Sequence, residues 1–284
     1  MKNKVSHLTK NILVTLCSAF ALTGNAYSQI SFPSADSDVS YSSVTALEYR
    51  AADQVLHYGE DPYQFGRLWL PDPASKKEKL IIFIHGGCWL NEFDMEHTYA
   101  LATALAQTGY AVWSLEYRRT GDLGGGWPGS YSDVKTGIHW LSNLSLFGAD
   151  TEDVVIVGHS AGGHLALLAG RDFPEVNAVV GLAAITDIVK YADGNNDCET
   201  ATALFMGSIF ARAKELYHTA NPANLNLHKK TLLLHGTADS IVNISQSDLQ
   251  NADMLGIQEA GHFDWVHPGT EAFRLLQDSL EKLF

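Results

Sequence analysis

Residues 154–170 read Val-Val-Ile-Val-Gly-His-Ser-Ala-Gly-Gly-His-Leu-Ala-Leu-Leu-Ala-Gly, and the rest of the chain is organised around them. A β-branched apolar run meets a glycine turn and then a segment of small, helix-compatible residues. Ser160 stands at the apex, framed as Gly158-His159-Ser160-Ala161-Gly162. This is the G-x-S-x-G pattern of a nucleophile elbow, with a predicted strand before it and a predicted helix after it. A serine forced into so sharp a turn is strained, and small residues two before and two after it let neighbouring elements pass. The following helix aims its positive end and free N–H groups at the reacting centre.

Outward from the elbow, apolar runs alternate with helical patterns. Leu80-Ile81-Ile82-Phe83-Ile84 is continuous, as in a strand covered on both faces. A helical segment over 97–107 is stopped by Gly109, and Ala111 to Leu115 is the next strand. Tyr131, Val134, Ile138 and Leu141 recur at helical spacing. Strands are predicted over 176–182, over 231–234 and near Ile257. A final amphipathic helix carries Phe273, Leu276, Leu280 and Leu283 on one stripe. Short aromatic-rich pieces between Val55 and Pro71 suit antiparallel edge strands. The expected fold is α/β: a mostly parallel sheet with helices on both faces. Residues 184–228 break the rhythm and are expected to form a small lid insert over the sheet's carboxyl edge.

The chain has 284 residues, enough for one large α/β domain, expected over residues 46–284. Lys2, Lys4 and Lys10 precede a short apolar core at 12–23, with Ala26 and Ser28 placed for cleavage after Ser28. Residues 1–28 therefore read as a signal peptide, and the mature protein as periplasmic or secreted. The apolar core is too short to span a bilayer comfortably, so no lasting membrane anchor is expected. Residues 29–45 are rich in Ser and Asp and are expected to be a flexible N-terminal segment. The net charge of −13 becomes −16 once the three lysines of the leader go, which argues against nucleic acid as a partner. Two cysteines remain after the leader, Cys88 and Cys198. In an exported chain they either form one disulfide or stay as buried thiols, since sequence does not give their separation.

A serine hydroxyl needs an adjacent base, and the base needs an orienting acid. Asp239 follows the strand at 231–234, and His262 follows the last strand, so the order is serine, acid, histidine. Asp187 is the fallback acid; Asp264 and His267 lie near His262 as competitors, but His267, preceding Pro268 at a helix start, reads as structural. His159 and His164 flank Ser160 too closely to serve as its base and are expected to pack and hydrogen-bond locally. The stretch His85-Gly86-Gly87-Cys88-Trp89 follows a buried strand and exposes backbone amides. Together with the N–H of Ala161, those of Gly87 and Cys88 would meet the negative charge of an acyl-transfer intermediate. Trp89 and Trp127 are candidates for the walls of a substrate pocket. Arg118 and Arg119 are expected to pair with acids. No H-E-x-x-H or paired cysteine–histidine spacing occurs, so neither a metal nor another cofactor is expected.

With these residues in hand, the chain resembles the α/β-hydrolase superfamily over residues 46–284. The His-Gly-Gly-x-Trp stretch at 85–89 and Gly-His-Ser-Ala-Gly-Gly at 158–163 resemble kynurenine formamidase-like and hormone-sensitive-lipase-like esterases. Cys88 stands where the lipase-like branch carries a third glycine. The resemblance implies Ser160 as nucleophile, Asp239 as acid, His262 as base, and oxyanion donors from Gly87, Cys88 and Ala161. The implied activity is hydrolysis of a small-molecule ester or amide through an acyl-enzyme. An arylformamidase or amidase, a small serine peptidase and a non-catalytic hydrolase-fold binding module are the alternatives.

Overall fold

The computed structural model describes residues 29–284, and the expected signal peptide lies outside them. Eight strands form one sheet: β1 (Gln54–His57), β2 (Phe65–Trp69), β3 (Leu80–Ile84), β4 (Ala111–Leu115), β5 (Val154–His159), β6 (Ala178–Leu182), β7 (Thr231–Gly236) and β8 (Asp253–Ile257). Their spatial order is β1-β2-β4-β3-β5-β6-β7-β8. The β1–β2 and β2–β4 pairs are antiparallel, and every later pair is parallel.

The continuous apolar runs follow from burial on both faces. Leu80, Ile82 and Ile84 of β3, with Val154 and Ile156 of β5, point into one core. Ile81 and Phe83, with Val155 and Val157, point into the other. Strand alternation therefore serves two cores rather than one core and solvent. The helices α3 (Gly129–His139) and α4 (Ala161–Asp172) contribute to the first core, and α2 (Tyr99–Gln107) and α8 (Glu271–Leu283) to the second. The predicted stripe of α8 faces the sheet, with Phe273, Leu276 and Leu280 buried.

Two regions differ from expectation. Residues 29–45 are not loose but lie along the domain as a strap ending in α1 (Tyr41–Thr45). The Gln107 amide donates to the Ile30 carbonyl and accepts from the Ile30 N–H, both at 2.9 Å. The Ala35 N–H donates to the Gly269 carbonyl at 3.1 Å. A polar segment is anchored here by backbone hydrogen bonds to distant residues, which no local pattern reveals.

The insert holds more helix than expected: α5 (Ile188–Tyr191), α6 (Asp197–Phe205) and α7 (Lys214–Thr219). Asn196 and Glu199 form a capping box that starts α6. Phe205, at its end, stacks on Trp89 with ring centroids 4.6 Å apart. His164 of α4 donates to the Ala220 carbonyl at 2.7 Å, tying down the far side of the insert. Cys88 and Cys198 are bonded, with Cα atoms 5.0 Å apart, and this bridge ties α6 to the loop after β3. It spans 110 residues, and by the chain-entropy argument a loop of that size stabilises the fold by roughly 4–5 kcal/mol. Intact-mass analysis without reductant should find no free thiol in residues 29–284. Reduction is expected to lower the melting temperature by roughly 5–10 °C. Two alkylatable thiols in the oxidised protein would contradict the bridge.

Candidate active site

Ser160 joins β5 to α4 with φ 57° and ψ −121°, a conformation that side-chain-bearing residues rarely hold. Its N–H donates to the Leu182 carbonyl of β6 at 2.8 Å, and its carbonyl accepts from the His164 N–H at 3.1 Å. A Cβ on Gly158 would overlap the Gly162 carbonyl, and one on Gly162 would overlap the Ile84 carbonyl. The two glycines thus let α4 start hard against β5 and β3, which fixes the turn.

The loop after β3 lies beside this turn because Ile84 is in register with Gly158. Backbone φ is positive at Gly87, Cys88 and Trp89, so the chain curls and leaves its amides unpaired. No described residue accepts from the backbone N–H of Gly87, Cys88 or Ala161. The loop is held from beneath by a buried polar cluster. His85 Nδ1 faces the Gly86 carbonyl at 2.7 Å, and its Nε2 faces Glu116 Oε1 at 3.0 Å. Burial alone would raise the Glu116 carboxyl. The His85 ring, the Arg119 guanidinium and the Tyr117 N–H outweigh it and hold the group below its usual range. Arg119 lies 3.5 Å from Glu116, while Arg118 pairs with the buried Asp133 at 2.6 Å.

Asp239 follows β7 and His262 follows β8, and parallel pairing brings the two loops together. His262 Nδ1 donates to Asp239 Oδ2 at 2.8 Å. The other carboxylate oxygen accepts from the N–H groups of Ile241 and Val242 at 2.9 and 2.8 Å. Burial pushes the Asp239 carboxyl up, but the His262 ring and the hydrogen bonds from His235, His262 and Val242 bring it well below the ordinary carboxylate range. Asp239 is therefore a carboxylate at neutral pH and sets His262 with Nδ1–H toward it. His159, one residue before the serine, donates from Nε2 to the His262 carbonyl at 2.9 Å.

Ser160 and His262 line one cavity of about 270 Å³, with Gly87, Cys88 and Cys198 at its wall. The remaining wall is mostly apolar and aromatic: Tyr41, Phe93, His97, His159, Ile241 and Phe263. Trp89 is not part of it. The positive φ values at Cys88 and Trp89 turn the indole inward, where it is fully buried against Phe205. Trp127 stacks on Tyr131 and lines a separate cavity. The rival residues also have other partners. Asp187 caps α5, and His267 accepts from the Gly269 N–H at 3.1 Å. Asp264 binds the backbone of residues 38 and 39. Among the described residues no group of three His, Cys, Asp or Glu side chains is arranged to hold a metal.

Three histidines around the elbow are held neutral by burial. His97 is lowered to about 3 and His164 to about 4, and His159 is lowered well below its ordinary value. In the unfolded chain each takes up a proton near pH 6.5. The unfolded state binds more protons between that pH and the folded values, so stability rises with pH across this window. Unfolding free energies, and urea midpoints with them, are therefore expected to fall from pH 7 to pH 5, by on the order of 1 kcal/mol per histidine for each pH unit below about 6.5. A midpoint that stays constant over this range would contradict neutral burial.

The BD-FAE family model matches residues 67–254, taking in the loop after β3, the elbow and Asp239. Esterase LipC of Mycobacterium tuberculosis is 29% identical over 213 residues, covering 67% of this chain and 52% of LipC. The chain spans about half the length of the curated relatives it matches. Esterase B of Lactobacillus rhamnosis has the same fold, with a TM-score of 0.70 at 21% identity over 86% of this chain and 89% of that one. A truncated carbohydrate esterase from gut microbiota superposes with a TM-score of 0.70 at 22% identity, covering 89% of this chain and 99% of that chain. These matches reach the level of the esterase and lipase superfamily rather than the formamidase-like or hormone-sensitive-lipase-like branch. With an eight-stranded, mostly parallel sheet, a glycine-framed elbow serine and a family match across two-thirds of its length, the chain belongs to the BD-FAE family of α/β-hydrolase-fold proteins.

Proposed function

We propose that the protein is an exported serine hydrolase that cleaves small carboxylic esters, with short acyl or aryl groups, through an acyl-enzyme on Ser160. The observation that carries this reading is the shared cavity. Ser160 faces the same apolar space as His262, whose Nδ1 is bound at 2.8 Å to Asp239, and Gly87 and Cys88, whose backbone N–H groups are unpaired among the described residues, line it too. In this reading His262 Nε2 takes the Ser160 proton as Oγ attacks the ester carbonyl. The N–H groups of Gly87, Cys88 and Ala161 meet the charge that forms on the carbonyl oxygen, at about 3 kcal/mol of transition-state stabilisation per donor. His262 then protonates the leaving alcohol. Water, activated by the same ring, releases the acid and frees the serine. The carboxylate of Asp239 keeps the ring in the tautomer that each step needs. No step calls for a cofactor. The basic start and short apolar core of residues 1–28 support export to the periplasm or beyond.

An ester rather than an amide is the reading that the esterase names among relatives and fold neighbours favour. The His-Gly-Gly-Cys-Trp loop keeps a formyl amide as the second reading, through its resemblance to formamidase-like enzymes. Purified protein is expected to hydrolyse p-nitrophenyl acetate and butyrate faster than N-formyl-kynurenine or an aminoacyl anilide. Ser160→Ala should abolish turnover, and Asp239→Asn should lower kcat by roughly 10³–10⁴-fold. A fluorophosphonate probe is expected to label Ser160. A folded protein that the probe does not label would instead be a binding module, and a preference for the formyl amide would move the reaction to amidase chemistry.

A further inference from the structure

The family match ends at residue 254 and begins at residue 67, yet part of the cavity wall lies outside those limits. Tyr41, on the strap, has its ring edge-on to Phe93 and Phe263, with centroids 5.9 and 5.5 Å away. It also lies 5.8 Å from the His97 ring. These contacts place one strap side chain across the aromatic side of the cavity that holds Ser160 and His262. The Tyr41 hydroxyl makes no hydrogen bond among the described residues, so what the residue brings to the cavity is the ring.

A single buried carboxylate fixes the strap there. Asp264 is 1% exposed. Its Oδ1 accepts from the Val39 N–H at 2.8 Å, and its Oδ2 accepts from the Asp38 N–H at 2.9 Å and the Gly261 N–H at 3.2 Å. One side chain therefore holds residues 38 and 39 and the residue before His262 at the same time. Asp38 is bent into the left-handed region, with φ 64°, and a Cβ on Gly261 would collide with it. Ser40 then caps α1 by accepting from the Ser43 N–H, which sets Tyr41 as the first helical residue. Removing a buried acceptor with three donors leaves those donors unpaired, so neither segment can keep its place cheaply.

We propose that Tyr41 sets the size of the ester group the cavity admits, and that Asp264 is a positioning residue that holds this wall in register with the His262 loop. The proposal rests on the serine-esterase reading above and adds a specificity determinant to it. Tyr41 is part of the aromatic wall of this cavity of about 270 Å³, so an ester group long enough to reach that wall meets its ring. Truncating the ring opens space that added methylenes fill with favourable burial.

The test uses the mature protein and two substrate series: p-nitrophenyl esters from acetate to octanoate, and aryl acetates of increasing alcohol size. Tyr41→Ala is expected to raise kcat/KM for the long members relative to acetate by about tenfold or more, in one of the two series. Tyr41→Phe, which keeps the ring, should retain the wild-type chain-length preference. Asp264→Asn replaces an acceptor by an N–H donor at the clamp, and should shift the same series in the same direction while lowering kcat. A loss in Asp264→Asn that is equal for every chain length would overturn its positioning role. An unchanged preference in Tyr41→Ala, with wild-type melting temperature and Ser160-dependent turnover intact, would overturn the specificity assignment alone. Wild-type protein inert toward all esters and toward fluorophosphonate would remove the esterase reading and the proposal together.

Discussion

The turn at Ser160 is the constraint on which the rest depends. A serine held at φ 57° persists only where its surroundings over-determine it. Here the hydrogen bond to Leu182, the register of β5 between β3 and β6, and the close approach of α4 to Gly158 and, through Gly162, to the end of β3 do so together. Each depends on strands buried on both faces. The two apolar cores thus serve the site directly, since they hold the strands whose carboxyl ends carry the functional loops.

Polar groups around that turn are numerous and mostly buried. Asp239 stays ionised because ring and backbone donors surround it, and Glu116 because His85 and Arg119 do. At the imidazoles of His97, His159 and His164 burial outweighs the groups that would favour the charged form, Glu116 near His97 and Asp239 near His159 among them, and keeps the rings neutral. The neighbourhood therefore separates charged pairs, which position the reactive loops, from neutral rings that line the space or brace it. His159 shows the second use, donating from within the elbow itself to the loop of His262.

Legibility in the sequence followed the range of the interactions. The strands of the parallel sheet and the elbow were readable because continuous apolar runs and paired glycines act locally. Asp239 and His262 were readable because each follows its own strand. The wall of the cavity was not. Tyr41 sits in a Ser- and Asp-rich stretch with no apolar period, and what orders it is a carboxylate more than two hundred residues away. Trp89 misled for the opposite reason. It stands next to the donor loop in sequence, but two successive positive φ values turn its indole under the insert. Helix α6 did leave a signal, the Asn196 and Glu199 capping box, which the polar turns around it obscured.

The clamp at Asp264 joins residues separated by 225 and 226 positions. Bringing such distant segments together has a loop-closure cost that must be met before the contact returns anything, and pairings of this span form late as a chain acquires its structure. A chain emerging residue by residue has its elbow serine available long before the strap can find its partner. Asp264 couples the Tyr41 side of the cavity and the residue before His262 through one side chain. A partly folded molecule that has formed the turn at Ser160 but not this clamp lacks the Tyr41 side of the cavity wall.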